Sequence, residues 1–278
     1  MDVKIRLTGL GLAFCSMLAP LRAGSTAPQR LLLKSAAALV LDQYTGQALV
    51  EKHAETAVPI ASLTKLMTAM VVLDAHLDPG ESITITEDDK DTLRHSRSRL
   101  PIGVHLPRQQ ALLLALLASE NRAAHALGRT FPGGLPAFVG AMNAKARELG
   151  LDRAHFVDPS GLSSGNIASA WDLARILKAA YSYPEIRDFT TRPLVNIQAG
   201  RKHIAFPNTN ALVRGGHWDI GLSKTGYIEE AGRCLVMQAM LANRPVFIVL
   251  LDSWGKYTRL GDAMRIRKWL EQGSTSRN

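Results

Sequence analysis

The sequence predicts an α+β fold: an antiparallel sheet with helices on its faces and a mostly helical subregion inserted between its second and third strands. Three observations predict it. Strand-like apolar runs stand at both ends of the main body, 36–52 and 219–252, and the stretch between them carries helix-period apolar patterning. The late strand runs are joined by very short links, which permit antiparallel but not parallel pairing.

Taken in order, Ala36 to Asp42 (AAALVLD) and Gln47 to Lys52 flank Gln43-Tyr44-Thr45-Gly46 and read as a hairpin with Gly46 in the turn. Helices are expected over roughly 62–75, 107–118, 121–129, 135–149 and 169–181, the first beginning just after Pro59. Asp158-Pro159-Ser160-Gly161 is a turn. Strands are expected over 219–228, 232–241 and 245–252, the last two linked by Ala242-Asn243-Arg244. Thr258 to Glu271 reads as a basic amphipathic helix with Met264, Ile266, Trp269 and Leu270 among its apolar positions. No internal repeat or low-complexity tract is present.

The chain of 278 residues is 46% hydrophobic and 21% charged, the balance of a soluble globular protein with a sizeable core. Its first segment stands apart. Lys4 and Arg6 precede the apolar run Leu7 to Ala19, and Pro20-Leu21-Arg22-Ala23 follows. A basic start, a short apolar stretch and a small residue at the end read as a secretory signal over 1–23, too short to span a bilayer comfortably, with cleavage after Ala23. Phe14 before Cys15 is not the small residue that lipidation of a cysteine requires. Residues 24–34 then form a linker, 35–272 a single domain and 273–278 a tail.

Loss of 1–23 leaves Cys234 as the one cysteine, so no disulfide can form within the mature chain. Its apolar neighbours, Leu235, Val236 and Met237, make it a small buried hydrophobe. The formal charge of +9 becomes +7 without 1–23, because basic residues fall from 33 to 30 and acidic ones from 24 to 23. A basic exported protein adheres to anionic polymers. Nucleic acid is a poor partner, since aromatics make up 6% and no binding motif occurs. Arg94-His95-Ser96-Arg97-Ser98-Arg99 is the densest basic stretch, either a solvated loop or a surface for an anionic cell-wall polymer. The eight histidines are scattered without metal-ligand spacing, and neither metal nor cofactor is expected.

Chemistry points to Ser62-Leu63-Thr64-Lys65. Between Ala57 and Leu73 the only charged residue is Lys65. On a helix, positions i and i+3 share a face, so hydroxyl and amine can meet. Most surface lysines carry their charge to water; apolar surroundings instead lower a lysine's pKa and supply a neutral amine able to take the serine's proton. Ser119-Glu120-Asn121 follows a second uncharged run, Ala111 to Ala118, and Lys224-Thr225-Gly226 lies in a predicted strand.

The order S-x-x-K, S-x-N, K-T-G resembles that of penicillin-binding proteins and class A β-lactamases. Over roughly 35–271 the chain is similar to low-molecular-weight penicillin-binding proteins, the serine-type D-Ala-D-Ala peptidases. The likeness extends to Met142–Leu151, Phe156–Leu162, Asn208-Thr209-Asn210 and Ala231–Met237. Ser119–Ala124 and Gly255–Thr258 bring it nearest to the small soluble DD-endopeptidases of penicillin-binding protein 7 type. The resemblance implies a transpeptidase- and β-lactamase-like fold, acyl transfer on peptidoglycan stem peptides and covalent inhibition by β-lactams. It assigns Ser62 as nucleophile, Lys65 as general base and Ser119 as proton relay to the leaving amine. Asn121 would bond the substrate backbone, Lys224 and Thr225 would hold the leaving group's carboxylate, and Gly226 would let substrate lie close to the strand. The backbone N–H groups of Ser62 and Tyr227 would form the oxyanion hole. A periplasmic enzyme without a stable membrane anchor is implied, because the long C-terminal domain and amphipathic anchor of the larger carboxypeptidases have no counterpart.

Ile228 departs from the pattern, standing where relatives often carry a hydroxyl residue. Four activities compete: DD-endopeptidase cleavage of D-Ala–diaminoacyl crosslinks, D-Ala-D-Ala carboxypeptidase, β-lactamase, and a silent cell-wall binder. A class A β-lactamase needs a Glu-x-x-Leu-Asn loop, and the nearest match, Glu148–Asp152, reads as a helix end capped by Gly150. A silent binder is expected to have lost a motif residue, and none is lost.

Overall fold

A computed structural model describes residues 31–199 and 202–275. The signal segment 1–23, its cleavage point and most of the linker lie outside the described residues, as does the end of the tail. In chain order come β1 (Ser35–Asp42), β2 (Ala48–Lys52), a short β3 (Val58–Pro59), a 3₁₀ turn (Ala61–Thr64) and α1 (Lys65–Asp74). Next are β4 (Ser82–Thr84), β5 (His105–Pro107), α2 (Arg108–Leu117), α3 (Asn121–Arg129) and α4 (Gly134–Glu148). Then follow β6 (Ile167–Ala168), α5 (Ala170–Ala180), α6 (Pro184–Thr191), β7 (Leu194–Ala199), β8 (Lys202–Pro207) and α7 (Ala211–Gly215). The chain closes with β9 (Ile220–Ile228), β10 (Gly232–Leu241), β11 (Arg244–Ser253) and α8 (Thr258–Thr275).

The main sheet is antiparallel in the order β2-β1-β11-β10-β9, so everything from β3 to α7 is inserted between its second and third strands in sequence. Alternation along the strands divides two cores. Leu39, Leu41, Val236, Val249 and Leu251 face the inserted helices, with α5 against β1 and β11. Ala38, Val40, Leu235, Met237, Ile248 and Leu250 face α8, which contributes Ala263 and Ile266. Burial on both faces explains the unbroken apolar runs of β1 and β11.

Several expectations are corrected. The β10–β11 link is two residues, Ala242 and Asn243, both left-handed at φ 50° and 58°, and Arg244 already belongs to β11. That geometry suits the right-handed twist of a tight hairpin. Met264 is 56% exposed and lies off the packed face of α8. Ser62 sits in a 3₁₀ turn, and α1 proper begins at Lys65. Asn121 opens α3, the helix expected over 121–129. Helix α6 and the β7–β8 hairpin were not anticipated, and α6 braces the edge strand β9: Ser223 N–H donates to Thr190 Oγ1 at 3.3 Å and Ser223 Oγ to the Thr190 carbonyl at 3.4 Å.

Candidate active site

The site is assembled on three elements at the edge of the sheet. The 3₁₀ turn and α1 supply Ser62 and Lys65. The α2–α3 junction supplies Ser119 and Asn121, and β9 supplies Lys224, Thr225 and Gly226. Apolar packing dictates the first: Leu63, Leu66, Met67 and Met70 are buried around a wholly buried Lys65. Ala61 and Ser119, each next to the chemistry, hold left-handed φ angles of 48° and 58°, a backbone state that costs a non-glycine residue of order 1–3 kcal/mol. Gly161 abuts this turn at φ 79°, and a Cβ there would lie 2.0 Å from the Ala61 carbonyl oxygen. Gly226 is tight for a similar reason. A Cβ would come 3.0 Å from the Ile60 carbonyl oxygen and 3.2 Å from the Ser62 nitrogen. The close approach at Gly226 is thus to the 3₁₀ turn that carries Ser62.

Lys65 Nζ has three oxygen partners: Ser62 Oγ at 2.8 Å, Asn121 Oδ1 at 2.8 Å and the Ser160 carbonyl at 2.5 Å. Burial pulls its pKa down to about 7, against the opposing pull of the Asp158 and Glu120 carboxylates. Lys224 Nζ donates to Ser119 Oγ at 2.9 Å and to the Thr225 carbonyl at 3.0 Å. Its pKa is also lowered, first by burial and then by the charges of Lys65 and Arg259. Thr225 Oγ1 donates to Thr209 Oγ1 at 2.7 Å. The six motif side chains and Gly226 therefore fall in one place. Tyr227 follows Gly226 on β9 with its ring 56% exposed and stacked by Arg233, whose guanidinium carbon is 4.5 Å from the ring centroid.

A neutral amine has two N–H groups and one lone pair. Asn121 Oδ1 and the Ser160 carbonyl can only accept, so they take both N–H groups of a neutral Lys65. The lone pair is left for the Ser62 hydroxyl. The arrangement can therefore transfer a proton from Ser62 to Lys65 as Ser62 Oγ attacks a carbonyl carbon.

A family model described as D-alanyl-D-alanine carboxypeptidase matches residues 24–255. The chain belongs to this family. It is 45% identical over 259 residues to a D-alanyl-D-alanine endopeptidase of Pseudomonas aeruginosa, covering 92% of this chain and 83% of the relative. It is 40% identical over 253 residues to a D-alanyl-D-alanine endopeptidase of Escherichia coli K12, covering 90% and 82%. Its fold matches the crystal structure of the Streptomyces K15 DD-transpeptidase with a TM-score of 0.79 and 27% identity, over 86% of this chain and 97% of that one. The transpeptidase-like fold expected from the motifs is the fold observed.

Within this D-alanyl-D-alanine carboxypeptidase family member, sequence reasoning missed three neighbours of the site. Ser160 contributes its carbonyl, for which side-chain identity gives no signal. Ser96 Oγ accepts from Asn121 Nδ2 at 3.0 Å, so the basic stretch is not a free solvated loop. It is tethered by Arg94, which donates to the Leu162 carbonyl at 2.5 Å and pairs with Glu230 at 2.8 Å. Arg259, in the first turn of α8, donates to the Gly226 carbonyl at 3.0 Å and the Cys234 carbonyl at 3.3 Å. Cys234 is fully buried, and its thiol is pushed up to about 11 by burial, as suits a packing residue. Ile228 is 5% exposed and packs in the main core, so its side chain is a packing element. Among the described residues no group of three or more metal-binding side chains occurs, and no helix is long and apolar enough to cross a membrane.

Proposed function

We propose that the chain is a peptidoglycan DD-endopeptidase that hydrolyses D-Ala–diaminoacyl crosslinks between stem peptides through an acyl-enzyme on Ser62. The contact set of Lys65 carries the reading: a wholly buried amine with two obligate acceptors and one serine hydroxyl.

Ser62 Oγ attacks the D-Ala carbonyl carbon while its proton passes to Lys65. The oxyanion is met by the backbone N–H groups of Ser62 and Tyr227. The C–N bond then breaks, and the proton taken by Lys65 passes by way of Ser119 to the departing amine, which returns Lys65 to the neutral form. Water releases the acyl group from Ser62, with Lys65 again taking a proton. Lys224 and Thr225 hold the carboxylate of the leaving group, and Asn121 bonds the substrate backbone. Two ammonium groups around one dry site repel each other. An incoming carboxylate favours the ammonium form of Lys224, which in turn favours the neutral amine at Lys65.

The endopeptidase relatives at 45% and 40% identity support the crosslink as substrate. The description of the family supports carboxypeptidase action on a terminal D-Ala as the second reading. The test is a side-by-side chromatographic rate comparison of crosslinked muropeptide dimer and pentapeptide monomer. The endopeptidase reading expects the dimer to be cut. Rapid loss of the monomer's terminal D-Ala with the dimer intact would favour the carboxypeptidase, and acylation by penicillin without either cleavage would favour a silent binder. We further propose export to the periplasm, β-lactams as covalent inhibitors and a mature chain starting near Gly24. N-terminal sequencing of the processed protein would read that start directly.

A further inference from the structure

The turn after α4 contains a carboxylate that the proposed reaction does not use. Asp158 Oδ1 accepts from Ser160 N–H at 2.7 Å, Ser160 Oγ at 2.6 Å and Gly161 N–H at 2.7 Å. Its Oδ2 accepts from Ser163 N–H at 2.9 Å and Asn166 Nδ2 at 2.5 Å. All five bonds act on the short segment whose Ser160 carbonyl meets Lys65. The segment is also pinned to α1, because Thr68 Oγ1 donates to the Pro159 carbonyl at 2.7 Å, and to the residue that leads into the 3₁₀ turn, because Ile60 N–H donates to the Asn166 carbonyl at 3.0 Å.

We propose that Asp158 is a positioning residue for the base: its carboxylate fixes the Ser160 carbonyl that receives one Lys65 N–H, and so aims the amine lone pair at Ser62 Oγ. This rests on the reading of Ser62 and Lys65 as nucleophile and base. Without a fixed carbonyl, Lys65 could rotate and point an N–H at Ser62, which would block proton uptake.

The charge of Asp158 adds a signature that a merely structural turn lacks. Burial alone would raise its pKa, but the Ser160 hydroxyl and the converging backbone N–H groups hold it below the ordinary carboxylate range, so it is anionic wherever the enzyme works. The charged groups facing Lys65 are Asp158 from the turn, Glu120 from the N-cap of α3 and Lys224 from β9, itself beside Arg259. Deleting the Asp158 charge leaves Glu120 to oppose burial and Lys224, and Lys65 then loses its proton at lower pH.

The experiment is the pH dependence of penicillin acylation for wild type, Asp158→Asn and Ser160→Ala, each first checked by thermal melting. In Asp158→Asn an amide N–H faces donors, so the plateau rate is expected to fall at least tenfold while the acid limb of the profile moves to lower pH. Ser160→Ala keeps the charge and loses one of the five bonds, so it is expected to slow acylation severalfold with the limb unmoved. Asp158→Asn at the wild-type plateau, or slowed with the limb unmoved, would overturn the proposal. If Asp158→Asn does not fold, Ser160→Ala decides alone, and acylation at the wild-type rate would overturn it. Wild type that is not acylated at Ser62 would instead refute the underlying reading.

Discussion

Lys65 illustrates how burial and polarity cooperate at one residue. An ammonium removed from water is costly unless partnered, and this one has three oxygens but no carboxylate in direct contact. The compromise is a pKa of about 7, which lets acylation rise as pH increases through neutrality. The same shift acts on stability. Between about 7 and the usual lysine value of 10.5 the unfolded chain binds a proton that the folded one does not. By itself, therefore, Lys65 makes the fold more stable as pH rises through that window. Lys65→Arg places a permanent cation at the site, and acylation by penicillin is expected to fall by roughly 10²–10⁴, the usual worth of general acid–base catalysis. A stopped-flow rate within tenfold of wild type would show that Lys65 is not the base. The motif residues were legible because their hydroxyl, amine and amide groups belong to the side chains and so are written in the sequence. Ser160 was not, because a carbonyl belongs to every residue. Arg259 was not, because it reaches Gly226 from 33 positions away.

At the scale of elements, the contact between the Asp158–Gly161 turn and the 3₁₀ turn sets the place of Ser62. Gly161→Ala adds a methyl group 2.0 Å from the Ala61 carbonyl at a left-handed φ. It is expected to destabilise the fold by about 2–4 kcal/mol and slow acylation more than tenfold, read by denaturant melts and rate measurements. The helical insertion has its own anchor. Asp89 is buried, and burial would raise its pKa, but His125, Arg129 and the Thr86 N–H hold it near 2. Its stabilising contribution is therefore present above the ordinary aspartate range and fades as pH falls toward 2. Asp89→Ala is expected to cost about 1–3 kcal/mol at neutral pH, the partners' partial exposure reducing the penalty, and much less at pH near 2. Equal destabilisation at both pH values would remove charge from the explanation. Most of the helices and sheet strands were legible within a few residues because apolar runs mark them. Helix α6 carries a start signal, Pro184 at its first turn with Glu185 behind it, but at eight residues it is too short to show a clear apolar period. The β7–β8 hairpin is half exposed, with Leu194 48% accessible, and gave only a weak pattern.

Across the whole molecule, the +9 formal charge is a property of the sequence that bears on where the enzyme dwells. Attraction to anionic wall polymer is screened as the Debye length shrinks from ~10 Å at 0.1 M salt to ~3 Å at 1 M. Hydrolysis of intact sacculi is expected to fall over that range while cleavage of soluble muropeptide dimer changes little, compared by chromatography of released products. Equal losses on both substrates would mean that salt acts on the site itself. The account as a whole depends on Ser62 becoming acylated. Intact-mass spectrometry of wild type and Ser62→Ala after incubation with penicillin tests this most directly. Wild type is expected to gain the mass of one penicilloyl group and Ser62→Ala none; a persisting covalent adduct on Ser62→Ala would contradict the account.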